Sequence, residues 1–311
     1  MRIFNNANIP KNYKHSAIAI GNFDGIHKGH QKIFTKTKKF ANKKKVKFGI
    51  LTFSPLPTMF FNKKIKNFRL ISEEIKFKIF EKYGVDFVIN IRFDKKFSKT
   101  EAKKFLEGII YNRINPQLLS ISNNFKFGRK RKGDINLLRK FSNEYKYQLL
   151  NIRAFKYKGK IVSSTRIRKS LQSGKIYLAN KLLSRTWFID GQVVKGKKLG
   201  RKLGYRTCNI RVKSYVLPKA GIYAVKVLVK NKKIYKGVAY FGSRPTFRGK
   251  ETLLEINIFG IKKNLYKKKL RVYFVKFIRK DKKFRSSIEL ITQMNKDVIS
   301  AKKGLKGKEA L

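Results

Sequence analysis

The chain has 311 residues, 42% of them hydrophobic, with 26 Phe and 14 Tyr, which is apolar material for two cores of ordinary size. Its one cysteine, Cys208, excludes an intramolecular disulfide framework and a cysteine-cluster metal site, and no apolar run approaches the roughly 18 residues that span a bilayer. The net charge of +61 is spread from end to end rather than gathered on one helix or tail. It reads as compositional drift, so nonspecific polyanion binding is expected but no specific nucleic-acid partner. The N-terminus, "MRIFNNANIPKNYKHS", lacks a secretory-signal pattern, and the expectation is a cytoplasmic protein with no membrane partner.

The first half alternates short apolar runs with amphipathic ones. "SAIAIGNF" predicts a strand entering a glycine turn, followed by a helix from about Lys28 to Lys44. "VKFGILTF" is a second strand, ended by the rigid turn of "TFSPLP". "SEEIKFKIFEKYG" is a helix with Ser72 as N-cap, early acids and a closing Gly84. "VDFVINIRF" predicts a third strand, "SKTEAKKFLEGIIYNRI" a third helix and "LLSISNNF" a fourth strand. Strand and helix alternating at this spacing imply βαβ units and a parallel sheet, whose ligands bind beyond the C-terminal strand ends. "TRIRKSLQSGKIYLANKLLS" is helical, and the domain boundary is placed after it, giving domains 1–185 and 186–311.

Beyond Trp187 the rhythm changes. "WFIDGQVV", "GIYAVKVLVK", "KIYKGVAYFG", "TLLEINIF" and "KLRVYFVKFI" are strands separated by Gly or Lys/Asn turns, with one helix, "SSIELITQMNKDVISAKKG", near the end. That is an antiparallel sheet or small barrel closed by a helix, with a tail, "KKGLKGKEAL", expected to fray.

"GNFDGIHKGH" holds two of the three histidines in the chain. A strand that ends at Gly21 and resumes as a helix near Lys28 directs free backbone N–H groups at one spot, an anion site by geometry and dipole. His27 and His30, at i and i+3, can face that spot and stabilise charge on a transferring phosphate. Asp24 could orient a histidine or help hold a metal. Chance packing is the bland alternative. "NNFKFGRKRKG" leaves a strand with Asn, Phe, Gly and basic groups together, and "VSSTRIR" brings two hydroxyls and two arginines to a helix start. All of these fall at strand ends of the same sheet edge.

In the second half, "GKKLGRKLGYRTCN" is a basic, glycine-punctuated loop that lets backbone approach phosphate, though it is no Walker A motif. Thr207 and Asn209, at i and i+2 on extended backbone, share a face and could hold Mg²⁺. Glu255, mid-strand in a region poor in acids, is either a general base toward a hydroxyl or a surface glutamate offsetting lysines.

Taken together these motifs resemble the bifunctional riboflavin kinase/FMN adenylyltransferase family, over nearly the whole chain. "GNFDGIHKGH" is similar to the family's GxFDGxHxGH, "FKFG" to its FxFG and "SSTRIR" to its SSTxIR. The resemblance implies an α/β Rossmann-like nucleotidyltransferase domain followed by a small Greek-key antiparallel β-barrel with a C-terminal helix. It implies that Gly21, Phe23, Asp24, Gly25, His27, His30, Ser163, Ser164, Thr165, Arg166 and Arg168 bind ATP phosphates, and that Asn124, Phe127 and Gly128 lie near flavin and nucleotide. "GKKLGRKLGYRTCN" is similar to GxxxGxxLGxPTAN, so Gly196, Lys197, Gly200, Gly204, Thr207 and Asn209 are implied for kinase ATP, with Thr207 and Asn209 on Mg²⁺ and Glu255 as base. Arg279 and Phe284 are in register with the family's closing segment.

The implied chemistry is riboflavin to FMN, then FMN to FAD with release of pyrophosphate, each using ATP. The chain departs from the pattern at Ser54 for Glu, Ser122 for Gly, Arg206 for Pro, Cys208 for Ala, Gly260 for Asp and Lys267 for Gly. These keep two alternatives in view: an FAD synthetase with an impaired kinase domain, and, on charge alone, a nucleic-acid-binding protein on a relic fold. A class I aminoacyl-tRNA synthetase is disfavoured by the short first half and the lack of a KMSKS-like segment. Adenylylation of pantetheine phosphate or nicotinate mononucleotide stays open only if the second half is ignored.

Overall fold

The structure, a computed structural model, describes residues 1–196, 204–229, 233–246, 249–261 and 263–306. Lys197 and Gly200, both implied for kinase ATP, lie outside the described residues. The chain forms two compact units, Met1–Lys66 with Ser72–Ser163, and Asn67–Ile71 with Ser164–Leu311.

The first unit holds a six-stranded sheet in the order β1-β4-β3-β2-β5-β6, parallel throughout. Its strands are β1 (Arg2–Phe4), β2 (Ala17–Ile20), β3 (Phe48–Ser54), β4 (Phe87–Arg92), β5 (Leu118–Ser122) and β6 (Gln148–Ile152). All four residues of β2 are buried, as a central parallel strand covered on both faces requires. Helix α1 (Lys28–Lys44) buries Ile33, Phe34, Thr37 and Ala41 on one face. Full burial of a side chain such as Phe34 contributes roughly 1.5–3 kcal/mol. After β3 comes α2 (Pro57–Phe61), and α3 (Glu73–Lys82) follows, its N-cap Ser72 accepting from the Ile75 N–H. Two short helices, α4 (Lys95–Ser98) and α5 (Ala102–Phe105), come after β4. The helix α6 (Ile135–Glu144) links β5 to β6.

Three expectations are corrected here. The sheet has six strands rather than four, because β1 and β6 are short runs that exist through pairing with β4 and β5. The third helix is not one α-helix: α5 passes into a nine-residue π-helix, Leu106–Ile114, that buries Leu106, Ile110 and Ile114. The helical stretch before the barrel is two helices, α7 (Ser164–Gln172) and α8 (Ile176–Leu183), broken at Gly174, whose φ is +77°. A two-residue hairpin, β7 (Lys156–Tyr157) with β8 (Lys160–Ile161), precedes them.

The second unit is a closed antiparallel barrel with the circular order β10-β13-β12-β11-β14-β9. Its strands are β9 (Phe188–Val194), β10 (Thr207–Arg211), β11 (Gly221–Leu228), β12 (Ile234–Thr246), β13 (Gly249–Ile258) and β14 (Lys269–Arg279). Three hairpin-connected strands, β11 to β13, with β14 returning beside β11, make the Greek key. Trp187, 1% exposed, packs on Phe274 and donates from Nε1 to the Leu70 carbonyl. Backbone bonds from Phe68 and Arg69 to the Ser214 carbonyl stitch the 67–71 segment into this unit. The closing helix α9 (Ser287–Gly304) packs Ala301 and the following Leu305 against Ala224 and Val275, so the expected fraying does not begin before Lys306.

Candidate functional site

In the first unit, the crossovers from β2 run toward β3 and β4, while those from β5 run the other way to β6. β2 and β5 are therefore the neighbours at which the strand order reverses, and the crevice beyond their C-terminal ends is where such sheets bind ligands. The loop after β2 carries Gly21, Phe23, Asp24, Gly25 and His27 into the start of α1. His27 is the N-cap of that helix, which has no acidic residue in its first turn. The imidazoles of His27 and His30 stack with centroids 3.6 Å apart and planes 23° off parallel. Phe23 locks the loop from below, its ring against His30, Phe34 and Phe80. Asp24 is 4% exposed, a carboxylate buried in the turn.

The turn after β5 places Asn124 on the surface at the other side of the crevice. Phe127 does not face it: the side chain is 7% exposed and packs on Phe105 and Phe125. Gly128, at φ +70°, runs so close to α5 that a Cβ would stand 2.6 Å from the Ala102 nitrogen. The FxFG element thus builds the loop that presents Asn124. The hydroxyls and arginines of "SSTRIR" fall on both sides of the division between the units, with Ser163 closing the first and Ser164, Thr165, Arg166 and Arg168 opening α7 in the second. Arg168 donates from Nε to the Phe68 carbonyl at 2.9 Å and lies 3.7 Å over the Phe68 ring.

Sequence reasoning missed an aromatic shelf at the C-terminal ends of β3 and β4. Phe60, Phe61 and Phe93 meet edge to face at 5.3 to 5.7 Å, and Phe61 is 69% exposed. The signal available was the pair of phenylalanines that follows Thr58 and Met59 after the "SPLP" turn.

In the second unit, Asn209 and Glu255 are directly paired across β10 and β13, and Thr207 lies two residues along the same face. The Thr207 hydroxyl donates to Glu255 Oε1 at 2.8 Å. The Asn209 Oδ1 is buried and has no hydrogen-bond partner among the described residues. Two oxygen donors on one face, one of them unsatisfied, beside a carboxylate, fit a hard divalent cation. Gly196 is required beside them, since a Cβ there would lie 2.0 Å from Asn209 Nδ2. Gly204 has φ +84°. A cleft of about 450 Å³ is lined by Gly196, Thr207 and Asn209 together with Lys195, Arg206, Lys263 and Tyr266. Lys263 and Tyr266 carried no sequence signal beyond a Lys/Asn turn. Cys208 lines the same cleft, and burial pushes its thiol up to about 12. Lys267, where the pattern has Gly, adopts the left-handed conformation at φ +61°, and Gly260 does so at +75°.

Two families of known proteins match successive stretches of the chain. The FAD synthetase family matches residues 9–166 and the riboflavin kinase family residues 183–305. A bifunctional riboflavin kinase/FMN adenylyltransferase of Buchnera aphidicola subsp. Schizaphis graminum is 38% identical, covering 95% of this chain and 96% of its own. The Haemophilus influenzae protein of the same name is 38% identical over 92% of this chain and 93% of its own. A solved structure named as a macrolide-efflux protein of Streptococcus pneumoniae superposes with a TM-score of 0.85 at 27% identity, covering 95% of this chain and 96% of that one. No helix among the described residues here is long and apolar enough to cross a membrane. The chain belongs to the bifunctional riboflavin kinase/FMN adenylyltransferase family.

Proposed function

We propose that the chain phosphorylates riboflavin to FMN in its barrel and adenylylates FMN to FAD at its parallel sheet, consuming ATP in each step. The observation that carries the kinase reading is the Thr207–Glu255–Asn209 arrangement on one barrel face. Glu255 takes the proton of the ribityl hydroxyl, whose oxygen attacks the γ-phosphorus, and ADP leaves. Thr207 Oγ1 and Asn209 Oδ1 would hold Mg²⁺, which when bound neutralises charge on the transferring phosphate. Gly196 and Gly204 allow the loop to lie against the nucleotide. Lys197 and Gly200 are assigned to the same loop from sequence.

For adenylyl transfer, an FMN phosphate oxygen attacks the α-phosphorus of ATP and pyrophosphate leaves. Gly21, Phe23, Asp24, Gly25, His27 and His30 form the cradle for the triphosphate, His27 and His30 stabilising charge as the bond to the leaving group breaks. Ser163, Ser164, Thr165, Arg166 and Arg168 supply further donors. Asn124 contacts the flavin side, Phe127 and Gly128 hold its loop, and Phe61 with Phe60 and Phe93 offers a stacking surface for the isoalloxazine ring. Mg²⁺ serves this reaction also. The functional boundary falls near residue 185, after the residue where the first family match ends and close to residue 183, where the second begins. Both reactions draw on ATP, which suits a cytoplasmic enzyme whose partners are riboflavin, FMN and ATP rather than a specific nucleic acid.

The test is chromatography of products from purified protein with ATP and Mg²⁺, run on riboflavin and on FMN. FAD from both, with FMN as intermediate in the first, is expected. FAD from FMN alone would return the reading to an impaired kinase. No product from either would remove the enzyme assignment and leave the charge, tested as binding that weakens steeply with salt.

A further inference from the structure

Lys76 is a charged side chain of the first unit that the site described above leaves unused. It sits on α3 at 2% exposure, and lysine is almost never buried so deeply without partners. Its ammonium stands 5.4 and 6.0 Å from the ring centroids of Phe77 and Phe80. It donates at 3.2 Å to the hydroxyl of Thr52, itself 0% exposed on β3. The Thr52 hydroxyl in turn donates to the Asn22 carbonyl at 3.4 Å. An ammonium only donates, so the hydroxyl accepts there and its one proton is committed to Asn22.

Asn22 lies in the phosphate loop. In a trans peptide the carbonyl and the following N–H point opposite ways, so pinning the Asn22 carbonyl toward β3 turns the Phe23 N–H away from it. Phe23 needs such a restraint. Its φ is +48° and that of Ile26 is +41°, in a region that L-residues with bulky side chains rarely occupy. The buried Phe23 ring fixes the loop on one side, and the Lys76–Thr52 pair fixes the backbone on the other.

We propose that Lys76, acting through the Thr52 hydroxyl, is a positioning residue for adenylyl transfer that holds the Asn22–Phe23 peptide in its phosphate-binding orientation. This rests on the reading of residues 21–30 as the ATP-phosphate site.

The full chain supplies its own control, because riboflavin phosphorylation reports on the other unit. Thr52→Val keeps the shape and removes the hydroxyl, whereas Thr52→Ser keeps the hydroxyl and removes a methyl. Steady-state FAD formation from FMN should show KM for ATP raised about tenfold in Thr52→Val and in Lys76→Met, the size of one lost hydrogen bond to a charged group. Thr52→Ser should stay within about twofold of the parent. Kinase parameters should not move. A packing role predicts the reverse order, Val tolerated and Ser impaired, and that result overturns the proposal. So does an unchanged KM in Thr52→Val while His30→Ala abolishes FAD formation. If His30→Ala is itself silent, the phosphate-site reading fails and the proposal falls with it.

Discussion

Asn209 and Glu255 face each other across the β10–β13 ladder, and the Thr207 hydroxyl closes the group by donating to Glu255 Oε1 at 2.8 Å. A carboxylate held this way is oriented before substrate arrives, which is what a general base needs. Glu255→Gln keeps the shape and the acceptor for Thr207 but cannot take a proton. The expected result is a fall of about 10²- to 10⁴-fold in kcat for FMN formation. FAD formation from added FMN should be unchanged. An equal loss in both reactions would point to misfolding rather than lost base chemistry.

Arg206 tests whether the departure from the family pattern has been put to use. Its backbone carbonyl accepts from Asn257 Nδ2 at 2.9 Å, which fastens the start of β10 to β13, while the exposed side chain lines the cleft with Lys195 and Lys263. A solvated cation near a polyphosphate is a modest, screened contribution. Arg206→Ala should raise the kinase KM for ATP about threefold to tenfold at low salt, with the difference shrinking near roughly 0.5 M salt where the screening length falls to a few ångströms. A drop in kcat that ignores salt would instead assign Arg206 to loop geometry.

What could be read in advance follows how local each signal is. Helix α1 was legible because apolar spacing, a glycine-bounded start and a lysine-rich end all lie within it. The Ser72 cap was legible for the same reason. β1 and β6 were not, since three and five residues carry no period and become strands only against β4 and β5. The segment 67–71 reads as a loop before α3, and its bonds to Ser214 depend on a partner nearly 150 residues away in the chain. At the site, His27, His30, Thr207, Asn209 and Glu255 stood out by residue type and spacing. Lys76 did not, because one lysine on an amphipathic helix is invisible among 78 basic residues until its burial is known. Phe127 shows the same limit from the other side, since its burial against Phe105 depends on a helix the motif does not contain.

Cys208 sits between the two proposed cation ligands and invites suspicion as a reactive group. Burial disfavours the thiolate and pushes the thiol up to about 12, with the Glu255 carboxylate adding to the effect. The reactive form is the thiolate, so at pH 7.5 the folded protein should react with iodoacetamide at least tenfold more slowly than the denatured chain. The rate should climb with pH beyond the range where an ordinary thiol has already levelled off. Cys208→Ala should leave FMN formation within about twofold of the parent, and a larger loss would give the thiol a part in the cleft that burial does not suggest.

The closing helix is tied to the barrel by a buried charged contact. Asp297, on α9 and 4% exposed, receives Nε and Nη2 of Arg279 from the end of β14 at 2.8 and 2.7 Å, and Gln293 donates to it at 3.1 Å. Removing one partner of a buried pair typically costs about 3–5 kcal/mol, because the other charge stays behind without compensation. The Arg279 side chain is 22% exposed, so water recovers part of that cost and the lower end applies. Asp297→Asn retains one carbonyl acceptor and should destabilise by about 2–3 kcal/mol in urea titration. Asp297→Leu with Arg279→Met, which removes both charges, should cost less than Asp297→Leu alone. Strict additivity in that cycle would mean that α9 is held by Ala301 and Leu305 alone, and that the ion pair merely decorates a helix already docked.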